Sequence, residues 1–212
     1  MQIIYDKYSK EKLSTLPRVL FEGRIILVLN EREAEKAVNY LLSQPILGFD
    51  TETRPTFRKG VTHQVALLQV STHDTCFLFR LCRTGLCAPI IRLLEDTTIT
   101  KVGLSLKDDF FNLKHRKQFQ PGTFIEIQNE VKTLGIEDAS LQKIYANLFG
   151  QRISKGQQLT NWEADVLTEA QQRYAATDAW ACIKIHEKVE ELIRTNDYEL
   201  QLQPQPQQQA QQ

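Results

Sequence analysis

The sequence predicts an α/β fold: a mixed β-sheet, an antiparallel meander continued by parallel strands, with helices on both faces. Three observations predict it. Apolar strand-like runs at residues 47–53, 65–71 and 75–79 follow one another by short connections, which suits antiparallel neighbours. Helical and strand-like periodicities then alternate, as they do where helices carry the chain between parallel strands. The 212 residues are 42% hydrophobic and 25% charged, a globular composition long enough for one substantial core.

Residues 1–22 read as a mixed leader. Its start is polar and charged, so no signal peptide is expected. Arg24 to Leu29 reads as a strand. Asn30 can cap the next helix, with Glu33 three residues on. That helix runs to about Leu42, burying Ala34, Ala37, Val38, Leu41 and Leu42 on one face, and Pro45 breaks it. The meander comes next, with Thr72-His73-Asp74 as one turn. Ala88 to Leu94 reads as a helix and Ile99 to Gly103 as a short strand. A further helix starts near Asp108 and Asp109, where acids favour the positive end of the helix dipole. Phe124 to Ile127 is another strand. Ser140 caps a helix carrying Leu141, Ile144, Tyr145 and Leu148, ended by Gly150. Leu167-Thr168 opens a long helix to about Arg194. Residues 199–212 are Gln-rich with two prolines, and low complexity predicts disorder. The organisation expected is a leader (1–22), one domain (23–198) and a tail (199–212).

Lys and Arg balance Asp and Glu at 26 each, so any polyanion must be met by local basic patches. Cys76, Cys82, Cys87 and Cys182 form no CxxC pair, which argues against structural zinc. Reduced, mostly buried thiols are expected, and with them a cytoplasmic location. No apolar run approaches the length of a membrane span.

The chemistry gathers at Leu47-Gly48-Phe49-Asp50-Thr51-Glu52-Thr53. Strand side chains alternate, so Asp50 and Glu52 share a face. Two carboxylates on one face of a core strand lose hydration and repel each other. A hard divalent cation, Mg2+ or Mn2+, would remove that cost. A strand running out into a solvated acidic turn describes the same residues. Tyr174 and Asp178 are one helical turn apart and share a face. Their neighbours Ala175, Ala176, Ala179, Trp180 and Ala181 suggest burial, where Asp178 needs a partner. Asp108 and Asp109 read equally as helix-start residues. Acids brought together from such distant positions are explained by a pair of divalent cations.

Three motifs in order then resemble the DEDDy-type 3′–5′ exonucleases of the DnaQ-like superfamily, the ribonuclease D and Werner-syndrome exonuclease group especially. They are Leu-Gly-Phe-Asp50-Thr51-Glu52, Val102-Gly103 with Asp109 seven residues after Val102, and Tyr174-Ala-Ala-Thr-Asp178. Asn161-Trp162 and Leu167-Thr168-Glu169 also match. The likeness runs from about Gly23 to Arg194. It implies a ribonuclease H-like fold, two divalent cations and release of nucleoside 5′-monophosphates from the 3′ end of a nucleic acid. Carried over, Asp50, Glu52, Asp109 and Asp178 become the metal ligands, with Asp109 favoured over Asp108 by its spacing from Val102. Arg173 stands five residues before Asp178, where the histidine subclass has His, so the tyrosine form is implied. Tyr174 and Glu52 would position the attacking water.

Expected nucleic-acid contacts are Arg54, Arg58 and Lys59 in the loop after the acidic strand, and Lys155 in a second basic loop. Phe110 reads as a base contact or as core, and Trp162 as a stacking platform or as core. His63, His73, His115 and His186 show no clustering. No residue announces a contact to the 2′-hydroxyl, so the residues themselves do not separate DNA from RNA; the Werner-like details of the resemblance tilt slightly to DNA. The competing readings are an inactive nucleic-acid-binding scaffold of the same fold, an RNA-processing enzyme, and an adaptor working through its Gln-rich tail.

Overall fold

The computed structural model describes residues 1–203. In chain order the elements are β1 (Gln2–Tyr5), α1 (Lys10–Thr15), β2 (Arg24–Val28), α2 (Glu31–Leu41), β3 (Ile46–Thr53), β4 (Val65–Ser71), β5 (Thr75–Arg80), α3 (Leu81–Thr84), α4 (Ala88–Glu95), β6 (Thr100–Gly103), α5 (Leu106–Lys114), β7 (Phe124–Glu126), α6 (Ile127–Thr133), α7 (Leu141–Phe149), α8 (Glu169–Thr195) and β8 (Tyr198–Gln201).

Six strands form the main sheet in the order β2-β5-β4-β3-β6-β7. The meander β3-β4-β5 is antiparallel, while β2 beside β5 and the run β3-β6-β7 are parallel. This is the mixed sheet that the sequence predicts. Every residue of β4 is buried, because helices cover both faces of the sheet. On one side α2, α4 and α5 pack on Leu47, Phe49, Leu68, Val70, Phe77 and Phe79. On the other, α8 covers Leu67, Cys76 and Leu78 with Tyr174, Ala175 and Ala176, while α6 and α7 extend the layer beside it.

The caps follow the sequence. Asn30 Oδ1 accepts from Glu33 N at 3.0 Å, and Thr168 forms a reciprocal capping box with Gln171 at the start of α8. Gly150 ends α7 in the left-handed region at φ 62°. Gly48 sets how closely helix and strand approach. A Cβ there would overlap the Ala179 carbonyl, so glycine and a run of alanines let α8 lie directly on β3.

The ends of the chain depart from expectation. Residues 199–201, expected in a disordered tail, lie in β8, which pairs in parallel with β1 (Gln2↔Tyr198 to Tyr5↔Gln201). Asn147 on α7 secures this pair, its amide accepting from Tyr5 N at 2.9 Å and donating to Tyr5 O at 2.7 Å. Residues 1–22, the expected mixed leader, contain β1 and α1 and bury Ile4, Tyr8 and Phe21. Local composition cannot report a pairing between the two ends of the polymer. The rest of the Gln-rich expectation, residues 204–212, lies outside the described residues. Among the described residues no helix is long and apolar enough to cross a membrane. All four cysteines are free, Cys76 and Cys182 buried and Cys82 exposed.

Candidate active site

β3 lies between β4 and β6 and carries Asp50 and Glu52 toward α8. Its pairing with β4 shifts register between Glu52 and Thr53, the last residue of the strand. Because α8 rests on Gly48, Asp178 comes down beside the strand acids. Carboxylate oxygens of Asp50, Glu52 and Asp178 all lie within 4.8 Å of one another. They open on a cleft of about 290 Å³ whose walls include Thr51, Gln142, Lys155, Gln158, Tyr174 and Cys182.

The electrostatics are those of carboxyls crowded together away from water. Burial, then repulsion from Asp50, Asp178 and Asp109, pushes the Glu52 carboxyl up to about 10. Burial and Asp178 hold the Asp50 carboxyl well above the usual range. Asp178 is pushed up to about 7 by burial, against the pull of a hydrogen bond from Tyr174 and the charge of Lys155. Burial and the surrounding carboxylates also drive the Tyr174 phenol upward, so it stays a protonated donor at neutral pH.

Asp109 stands beside this trio rather than in it. It is on the inward side of α5, where its Oδ1 accepts from the Thr51 hydroxyl. Burial and Asp50 push its carboxyl up to about 8. Asp108 is exposed, so of the two neighbours Asp109 is the one held against β3.

One contributor escapes sequence reasoning. Glu126, at the end of β7, accepts from the backbone N–H of Ser105 (3.0 Å) and Leu106 (2.8 Å), capping α5 from outside the helix. Ser105 is left-handed at φ 63° and offers no cap of its own. Glu126 therefore fixes the start of the helix that carries Asp109. An acid closing a strand is too common a signal to single it out.

The expected nucleic-acid contacts divide. Lys155 is exposed and lines the cleft. Arg58 and Lys59 are exposed on the loop beyond β3, beside Phe57, which is 84% exposed. Arg54 is engaged by Glu163 at 3.2 Å, and His63 joins the same carboxylate at 3.0 Å, tying this loop to residues 157–166. Trp162 offers no exposed face for stacking. It is fully buried, with its ring 6.0 Å from that of Tyr174, where it backs the phenol from within the core. Phe110 is likewise core, its ring 4.8 Å from Phe124 and 6.2 Å from Phe49 and Phe119. Its neighbour Phe111 is the exposed ring, at 65%. Helical phase decides between the two, and the sequence offers apolar residues on both sides of it.

Comparison with known proteins agrees with this geometry. Residues 25–194 match the family described as 3′–5′ exonuclease. The Drosophila melanogaster exonuclease 3′–5′ domain-containing protein 2 is 32% identical over 166 residues, covering 76% of this chain and 27% of that protein. The mouse bifunctional 3′–5′ exonuclease/ATP-dependent helicase WRN is 28% identical over 185 residues, covering 82% of this chain and 13% of that protein. The chain thus spans well under a third of the length of these two relatives. Among solved structures, the Aedes aegypti Nibbler EXO domain superposes with a TM-score of 0.73 at 20% identity, covering 84% of this chain and 92% of that one. Escherichia coli RNase D gives 0.72 at 21% identity, covering 82% and 46%.

Fold and cleft together define a nuclease domain of the ribonuclease H-like type. More particularly, the chain belongs to the 3′–5′ exonuclease family, in its DnaQ-like branch.

Proposed function

We propose that this domain is a metal-dependent 3′–5′ exonuclease of the DEDDy kind, hydrolysing the terminal phosphodiester bond of a nucleic acid to release nucleoside 5′-monophosphates with the help of two divalent cations, Mg2+ or Mn2+. The observation that carries this reading is the convergence of Asp50, Glu52 and Asp178 within 4.8 Å. The donor set fits such cations. It is all hard oxygen, burial and then mutual repulsion make its carboxyls weaker acids than usual, and Lys155 is the one cation lining the cleft among the described residues.

Asp50, Glu52 and Asp178 would hold one cation, and Asp50 with Asp109 the other. Bound there, the cations would supply activation of a water nucleophile and stabilisation of charge on the departing 3′ oxygen. The side chains do the rest by positioning. Tyr174, protonated at neutral pH, orients the attacking water as a donor and is no base, and Glu52 orients it as an acceptor. Trp162 behind the ring fixes the direction of the phenol. Lys155, with Arg58 and Lys59 on the neighbouring loop, offers charge to the phosphate backbone.

DNA is the favoured substrate by a small margin. RNA is the second reading, supported by relatives such as the Shewanella protein named ribonuclease D, 26% identical over 202 residues and covering 86% of this chain and 50% of that protein. The test is digestion of matched 3′-labelled DNA and RNA, single-stranded and with recessed ends, in each metal. Mononucleotide release in Mg2+ or Mn2+, its loss in chelator and its loss in Asp50→Ala are expected. Undiminished digestion by Asp50→Ala would sink the assignment, and faster digestion of RNA would move the substrate to the second reading.

A further inference from the structure

Gln69, on β4, is the direct cross-strand partner of Asp50. Paired residues on adjacent antiparallel strands point to the same face, with Cβ atoms roughly 4.5–5.5 Å apart. Gln69 is 0% exposed, and neither its amide nitrogen nor its amide oxygen has a hydrogen-bond partner among the described residues. Its surroundings give it no ordinary reason to be polar. Leu67 precedes it on the same face, Leu78 opposes it on β5, and both belong to the apolar layer beneath Ala175 and Ala176 of α8. A buried amide left unpaired is destabilising, a cost that an apolar side chain of the same size would not carry. Asp50 shows the complementary need: it is a confined carboxylate, and the hydrogen bond that eases its charge comes from the backbone of Thr51. A donor without an acceptor thus stands beside an acceptor short of donors.

We infer that Gln69 is a positioning residue for Asp50: once the cleft is loaded, its amide N–H holds one carboxylate oxygen of Asp50 and thereby fixes how that carboxylate is presented to the cations. This rests on the metal-dependent reading proposed above. Partners behind a ligand of this kind typically set metal affinity by about 10- to 100-fold.

The test uses Gln69→Met and Gln69→Leu, which keep bulk and remove the amide. Mn2+ affinity is measured by the electron paramagnetic resonance of free Mn2+, and the melting temperature is measured in chelator. The expected result is a metal-free melting temperature equal to or above that of the parent, with Mn2+ affinity weakened by about tenfold or more. The Mg2+ concentration for half-maximal digestion should rise in step. A merely structural role would instead lower the metal-free melting temperature. That fall, or an Mn2+ affinity within about twofold of the parent in either variant, overturns the inference. A parent protein that itself binds no Mn2+ would overturn the proposed function instead, so the two failures are distinct.

Discussion

The Thr51 hydroxyl on β3 donates to the Asp109 carboxylate on α5. Thr51 points away from Asp50 and Glu52 along the strand, yet it is the residue that ties the fourth acid to the first two. A hydrogen bond to a charged group is worth about 1.5–3 kcal/mol, so its loss is readable as rate. Thr51→Val keeps the shape and removes the donor. It should lower kcat by about tenfold or more, and Thr51→Ser should recover most of it. Equal rates for the Val variant and the parent would show that Asp109 needs no such restraint.

The acidic trio makes activity and metal-free stability oppose each other. Asp178→Asn removes one of three crowded, desolvated carboxylates. Digestion should fall by at least about a thousandfold. The melting temperature in chelator should rise, by about 2–4 °C for a chain of this size per kcal/mol relieved. Differential scanning calorimetry in chelator checks it, and a lower melting temperature would mean that the carboxylate stabilises the empty cleft.

The same crowding fixes the sign of a pH dependence. Glu52, Asp109 and Asp178 have folded values of about 10, 8 and 7, all above the values near 4 of an unfolded chain. Between about pH 4 and pH 10 the folded state therefore holds more protons than the unfolded one, and stability falls as pH rises. In chelator the melting temperature should be at least about 5 °C lower at pH 9 than at pH 5. Saturating Mn2+ favours the ionised acids and should flatten or reverse this slope. The His186–Glu130 contact works in the same direction, since the raised value of His186 gives stability that is present below its unfolded value and lost above its folded one. His186→Gln should remove only that smaller share.

Tyr174 and Trp162 should separate by readout. Tyr174→Phe loses the donor but keeps the packing, so kcat should fall by about 10- to 100-fold while most of the stability is kept. Trp162→Ala empties a fully buried site and should cost about 3–5 kcal/mol of stability. A Trp162→Phe variant with normal stability and a raised KM would restore the stacking role that burial denies it.

Truncation tests the pairing of the chain ends. Stopping after Gln203 keeps β8 and should preserve both activity and melting temperature. Stopping after Asp197 removes every partner of β1 in the small sheet and should lower the melting temperature clearly. Equal stability of the two truncations would show that the β1–β8 pair contributes nothing.

Much of this molecule is legible in short stretches. Alternation along residues 47–53 puts Asp50 and Glu52 on one face, the apolar run 65–71 announces a strand, Asn30 and Thr168 announce helices, and the one-turn spacing of Tyr174 and Asp178 puts them together. Each of these depends on residues within a turn or a strand of one another. The features that sequence reasoning misplaces share the opposite character. Phe110 and Trp162 are ambiguous because an aromatic ring serves a base or a core equally well until its depth is known. Arg54 looks free in the sequence, but Glu163, over a hundred residues away, holds it. α6 is hidden because it follows β7 without a break.

By itself the sequence determined the kind of sheet, since backbone periodicity is a local property, and its resemblance to the DEDDy exonucleases singled out the four acids at stake. Only the tertiary structure decided which acids touch, that Glu126 and Thr51 hold the fourth in place, and that an unpaired amide lies beside Asp50. Those facts depend on strand register and on the close approach of α8 over Gly48, and both are settled by packing between segments that no local stretch encodes.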